Sequence, residues 1–126
     1  MRTLLACTLL LASATAFAAD LTFDQAQALA SKDSASLNGD QMATAVASQS
    51  KASSVALDKC PKPVKKADFA SFVIVMELDA AGKVTHTWLQ GNTPAATCFN
   101  DVMSHQTYSK PPHAPFYSSF DMYWQQ

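Results

Sequence analysis

The chain has 126 residues, nine basic and ten acidic side chains, a net charge of −1 and 48% apolar residues. That length holds one modest core rather than two, and the slightly acidic balance lacks the basic surplus that nucleic-acid binding normally needs. Arg2 is the only arginine, so the side chain best suited to gripping phosphates and bases is confined to the extreme N-terminus.

Residues Met1 to Ala19 predict a cleaved secretory signal peptide. Arg2 gives the positive start and Leu4 to Ala12 a short apolar run. Ala16-Phe17-Ala18 is a small-x-small cleavage site, with Phe17-Ala18-Ala19 as the alternative one residue later. The run is shorter than the roughly 20 apolar residues that cross a bilayer, and no second one follows, so no retained membrane anchor is expected. Cys7 lies within the run rather than just after it, which argues against a lipid attachment there. Cleavage after residue 19 of 126 leaves 107 residues, a single domain with eight lysines against ten acidic residues and a net charge of −2. The expected location is the periplasm or the exterior. Two cysteines, Cys60 and Cys98, stay in the mature chain. In an oxidising compartment an even pair reads as a disulfide that contributes roughly 3–4 kcal/mol by closing the loop between them.

In the mature chain, Thr22 followed by Gln25 forms a capping box, and Phe23, Ala26, Leu29 and Ala30 recur at helical spacing, which predicts a helix from Thr22 to about Lys32. Asp33 to Gly39 is rich in Ser, Asn and Gly and reads as a loop. A second, weakly apolar helix is expected from Asp40 to Lys59, ended by Cys60-Pro61-Lys62-Pro63 because a proline disfavours helical geometry in the residue before it. Lys59, Lys62, Lys65 and Lys66 make a local basic run that reads as a solvated loop.

Phe69 to Asp79, centred on Phe72-Val73-Ile74-Val75-Met76, predicts a central strand. Asp79-Ala80-Ala81-Gly82-Lys83 supplies a turn, and Val84 to Gln90 alternates as the second arm of a hairpin. Thr93-Pro94 starts a third helix, with Thr as N-cap and Pro in the first turn, running to about Thr107 with Cys98, Phe99, Val102 and Met103 as its apolar stripe. Lys110 to Pro115 is an extended link, and Phe116 to Trp124 a closing strand. The expected fold is α+β: N-terminal helices, then β-β-α-β with a small antiparallel sheet packed on a helix.

From Cys60 to Trp124 these residues resemble the C-terminal domain of TonB, especially the cysteine-bearing branch called AgmX-like. The likeness rests on the apolar strand Phe72 to Asp79, the turn Ala80-Ala81-Gly82-Lys83-Val84, the helix holding Cys98, Pro111-Pro112 and the aromatic strand Phe116 to Trp124. The relatives carry one Cys before the first strand and one in the following helix, the places of Cys60 and Cys98. Two features depart from the family. Its aromatic-x-Pro signature is loosened here to Tyr108-Ser109-Lys110-Pro111-Pro112, and the inner-membrane helix and long proline-rich spacer of TonB transducers have no counterpart in this chain. The resemblance therefore implies the fold and a liking for protein partners, not force transmission.

Catalytic and metal patterns are sparse. His86, His105 and His113 show no paired-ligand spacing, Glu77 is the only glutamate, and no nucleophile elbow or phosphate loop occurs. No enzyme activity, metal or other cofactor is expected. Six aromatic residues (Tyr108, Phe116, Tyr117, Phe120, Tyr123 and Trp124) fall within the last 19 positions. Phe116, Phe120, Met122 and Trp124 share one face of the last strand. The other, with Tyr117, Asp121 and Tyr123, is left for the N-terminal helices, for solvent or for a partner, and the helix over 40–59 would cover it as ordinary core. Trp88, Tyr117, Asp121 and Tyr123 are therefore the candidate contact residues. The function expected is a non-catalytic, exported protein-binding domain, such as an immunity protein or inhibitor of a toxin or enzyme. Accessory work in a TonB-type envelope system is one alternative. A small-ligand or metal carrier using Met42, Met76, Met103, Met122 and the histidines is another, although those methionines have ordinary core spacing. A monomer and a sheet-extended homodimer are both compatible with the pattern.

Overall fold

The computed structural model describes residues 21–125, so the signal peptide read over 1–19 lies outside the described residues. The order is α1 (Phe23–Ala35), α2 (Gly39–Lys59), a 3-10 turn (Lys66–Phe69), β1 (Phe72–Leu78), β2 (Val84–Gln90), α3 (Pro94–Ser104) and β3 (Phe116–Met122). The three strands form one antiparallel sheet in the order β2-β1-β3, with helices packed against it, an α+β fold.

Local chemistry sets the helix starts. Thr22 and Gln25 cap α1 reciprocally, Asn38 and Gln41 do the same for α2, and the Thr93 hydroxyl accepts the Ala96 N–H ahead of Pro94 in α3. Strand β3 ends at Met122, two residues before the expected Trp124, and three other boundaries differ from the sequence expectation by causes visible in the contacts. Helix α1 runs on to Ala35, because Asp33 is buried and its carboxylate accepts the Tyr117 N–H at 2.9 Å. Strand β1 starts at Phe72 rather than Phe69, since 66–69 close into a turn in which the Asp68 N–H bonds Lys65 O. Helix α3 stops at Ser104, where the N–H groups of His105 and Gln106 bond back three residues and tighten the last turn.

Alternation along the strands divides the core in two. On one face Phe72, Ile74, Met76, Leu78 and Phe116 pack with Ala96, Phe99 and Met103 of α3 and Ala52 and Ala56 of α2. On the other, Val75, Trp88 and Tyr117 pack against Ala26 and Ala30 of α1, with Leu21, Phe23, Leu29 and Val73 at the margin. The sheet face that carries Tyr117 is thus covered by α1, one of the N-terminal helices open to that place; α2, the other candidate cover, lies on the opposite face beside α3. Alanines make this possible, because a helix that meets the sheet through Ala26 and Ala30 can approach closely enough to bury two large rings.

Cys60, at the end of α2, is bonded to Cys98 in α3, with Cα atoms 5.7 Å apart and a sequence separation of 38. The bridge ties together the two helices that share a face. At the β1–β2 turn Gly82 has φ +82°, and a Cβ there would run into the carbonyl oxygen of Tyr108. The Tyr108 N–H in turn donates to Gly82 O at 2.9 Å, which anchors the start of the link to β3.

Candidate functional site: the outer edge of β3

Trp88 and Tyr117 are withdrawn from any partner in this structure. Trp88 is 8% and Tyr117 7% exposed. The indole Nε1 of Trp88 donates to Leu21 O at 2.8 Å, which pins the start of α1 to the sheet. The Tyr117 hydroxyl donates to Glu77 Oε2 at 2.9 Å, and the Thr85 hydroxyl donates to Glu77 Oε1 at 2.6 Å. Burial, helped by the hydrogen bond to Glu77 and the negative charges of Glu77 and Asp33, pushes the Tyr117 phenol up to about 12. Both Glu77 oxygens therefore have donors, and the carboxylate acts as a structural acceptor beneath α1. Of the occupants the sequence left open for this face, the protein's own N-terminal helix takes the place over Trp88 and Tyr117.

Asp121 and Tyr123 lie on the surface, Tyr123 72% exposed. They belong to the outer margin of β3, which among the described residues has β1 on one side and no strand on the other. The backbone groups of alternate residues on such a strand point outward. The Tyr117 N–H points that way, since it donates to Asp33 rather than to β1. Ser119 O also points outward, accepting from Gln49 Nε2 at 3.0 Å; the same amide donates to Ser118 Oγ at 3.3 Å. By the same alternation the N–H groups of Ser119 and Asp121 face outward.

This edge forms the floor of a groove of about 830 Å³ between α1 and α2, with Asp24, Gln27 and Ser31 on one wall and Met42, Val46 and Gln49 on the other. Asp33 Oδ1 also meets His113 Nε2 at 3.4 Å. The Ser119 hydroxyl donates to Asp121 Oδ1 at 3.0 Å.

The remaining candidates are dispersed. Met76 and Met103 are fully buried core residues, while Met122 is partly buried at the core margin and Met42 lines the groove. His105 sits beside Asp101, His86 packs against the Trp88 ring at 4.3 Å, and His113 meets Asp33. Among the described residues no three His, Cys, Asp or Glu side chains come together in a way that could hold a metal ion. Asp33 and Gln49, the two side chains that reach the β3 edge, were invisible to sequence reasoning, because their partners lie 84 and 70 residues away and nothing in the local pattern marks them. No family model matches the chain, and no curated protein or solved structure matches it either.

Proposed function

We propose that the mature protein is an exported, non-catalytic binding domain that takes up an extended segment of another protein along the outer edge of β3. The observation that carries this reading is the state of that edge: side chains from α1 and α2, not a strand, hold the Tyr117 N–H and the Ser119 carbonyl. An incoming strand can take over the Gln49 contact and add bonds to the Ser119 and Asp121 N–H groups, with the two helices as walls. The covered sheet faces support the same reading, since both are occupied by the protein's own helices. The disulfide fits an oxidising compartment, and among the described residues no helix is long and apolar enough to cross a membrane. The likeness of residues 60–124 to TonB C-terminal domains adds the expectation of a protein partner. A toxin, an enzyme or an envelope component presenting an extended segment are the partner classes that suit it.

The test is capture from a periplasmic extract by the oxidised mature chain, compared with a Ser119→Pro variant. Proline removes the outward N–H and obstructs strand addition, yet an edge strand tolerates it. The expected result is a captured protein that the variant loses while keeping its melting temperature, together with slowed amide exchange at Ser119 and Asp121 in the complex. A variant that still retains the same partner overturns strand addition.

A further inference from the structure

We infer that the stretch of residues 57–66 docks on an anionic lipid surface. Lys59, Lys62, Lys65 and Lys66 are all exposed, and among the described residues no lysine makes an ion pair. Residues 57–66 hold these four positive charges against Asp58 alone, a net of +3, whereas the rest of 21–125 carries four lysines against eight acidic residues, a net of −4. The stretch is therefore locally cationic on an otherwise acidic chain, and an anionic surface attracts it.

Apolar side chains single out a membrane rather than a soluble polyanion. Four large apolar residues are exposed among the described residues, and two of them, Leu57 and Val64, belong to this stretch. Val64, 88% exposed, stands between Lys62 and Lys65; Leu57, 42% exposed, lies three residues before Cys60. A polyanion has no use for an exposed valine, but the boundary between headgroups and acyl chains accepts valine and leucine while lysines reach the phosphates above them.

The loop is also unable to withdraw Val64 into the protein. Its root is held by the Cys60–Cys98 bond, Pro61 and Pro63 keep it extended, and its exit is closed by Phe69 packing edge-on to Trp124 at 6.5 Å. An extended, rooted loop presents its side chains with little ordering cost on binding.

Each lysine near an anionic leaflet strengthens binding roughly fivefold, so four of them give a preference of several hundredfold over a neutral surface. The experiment is sedimentation of the oxidised mature chain with vesicles of phosphatidylcholine alone or containing 30% phosphatidylglycerol. Three variants accompany it: Val64→Ser, Leu57→Ser and the triple Lys62→Gln, Lys65→Gln, Lys66→Gln. All these side chains are exposed, so the variants should melt with the parent. The expected result is salt-sensitive binding to the anionic vesicles only, weakened about a hundredfold in the triple variant and severalfold in each serine variant. Binding that ignores phosphatidylglycerol, or none at all, overturns the inference. Retention on soluble polyphosphate with no vesicle binding, or vesicle binding indifferent to Val64→Ser, replaces it with a plain polyanion contact. These variants lie away from the β3 groove, so their failure and that of strand addition are separately readable.

Discussion

Reducing the Cys60–Cys98 bond is the perturbation that asks most of this fold. The bridge closes a loop of 38 residues, and the chain-entropy relation for a loop of that length gives about 4 kcal/mol of stabilisation at 25 °C. That is a large share of the roughly 5–15 kcal/mol that holds a domain of this size folded. Its effect should also be uneven. Helix α2 has 21 residues, yet its buried residues are only Ala52 and Ala56, so little apolar area attaches it to the sheet beyond what the bridge enforces. Helix α3, by contrast, buries Phe99 and Met103 and stays anchored without help. The assay is urea unfolding of the oxidised and thiol-reduced wild type, which differ by one covalent bond and almost nothing in packing, alongside amide exchange. We expect a loss near 4 kcal/mol, a drop in melting temperature of well over 10 °C, and faster exchange first in the last two turns of α2. A Cys60→Ala, Cys98→Ala double variant should behave like the reduced protein and ignore the reductant. A difference below about 1 kcal/mol, or exchange that rises first in α1, would refute the reasoning.

Two further predictions concern the sheet and the link that follows α3. Gly82→Ala should destabilise by at least about 2 kcal/mol in urea unfolding, because the position combines a left-handed φ of +82° with close approach of the Tyr108 carbonyl; an unchanged midpoint would mean that the turn simply relaxes. Tyr117 holds its proton up to about pH 12 and burial raises Tyr108 further, whereas the unfolded chain releases both near the ordinary value of 10. Their contribution is therefore whole below pH 10 and is lost as the pH rises through 12. The urea midpoint should fall over that window, and Tyr117→Phe should flatten the fall relative to the wild type.

Periodicity and punctuation carried most of the element order. Thr22 with Gln25, Thr93 with Pro94, Gly82 in its turn and the apolar run from Phe72 to Met76 are signals contained within a few residues, and each produced its element. Layer assignment was not local in that way. Both α1 and α2 have alanine-rich, weakly amphipathic faces, so nothing in either sequence says which side of the sheet it takes. What decides is long-range complementarity: Leu21 O reaches the Trp88 indole, and Asp33 reaches the Tyr117 N–H. The same contacts lengthened α1 through a Ser-rich stretch that reads as loop. Burial of Trp88 and Tyr117 is decided at long range in the same way, and nothing local separates them from Asp121 and Tyr123, which are exposed.

Covering both faces of a three-stranded sheet has a consequence for how such a small domain can recognise anything. With α1 on one side and α2 and α3 on the other, binding through a face would require a helix to leave, exposing Trp88 and Tyr117 or Phe72 and Phe99 to water; each large side chain costs about 1.5–3 kcal/mol to uncover. Binding through an edge costs only the exchange of one hydrogen-bonding group for another, here the Gln49 amide for an incoming N–H. Strand β3 is the edge at which the protein's own side chains already imitate a partner, the Asp33 carboxylate at the Tyr117 N–H and the Gln49 amide at the Ser119 carbonyl, so an incoming strand meets an edge already prepared to exchange hydrogen bonds.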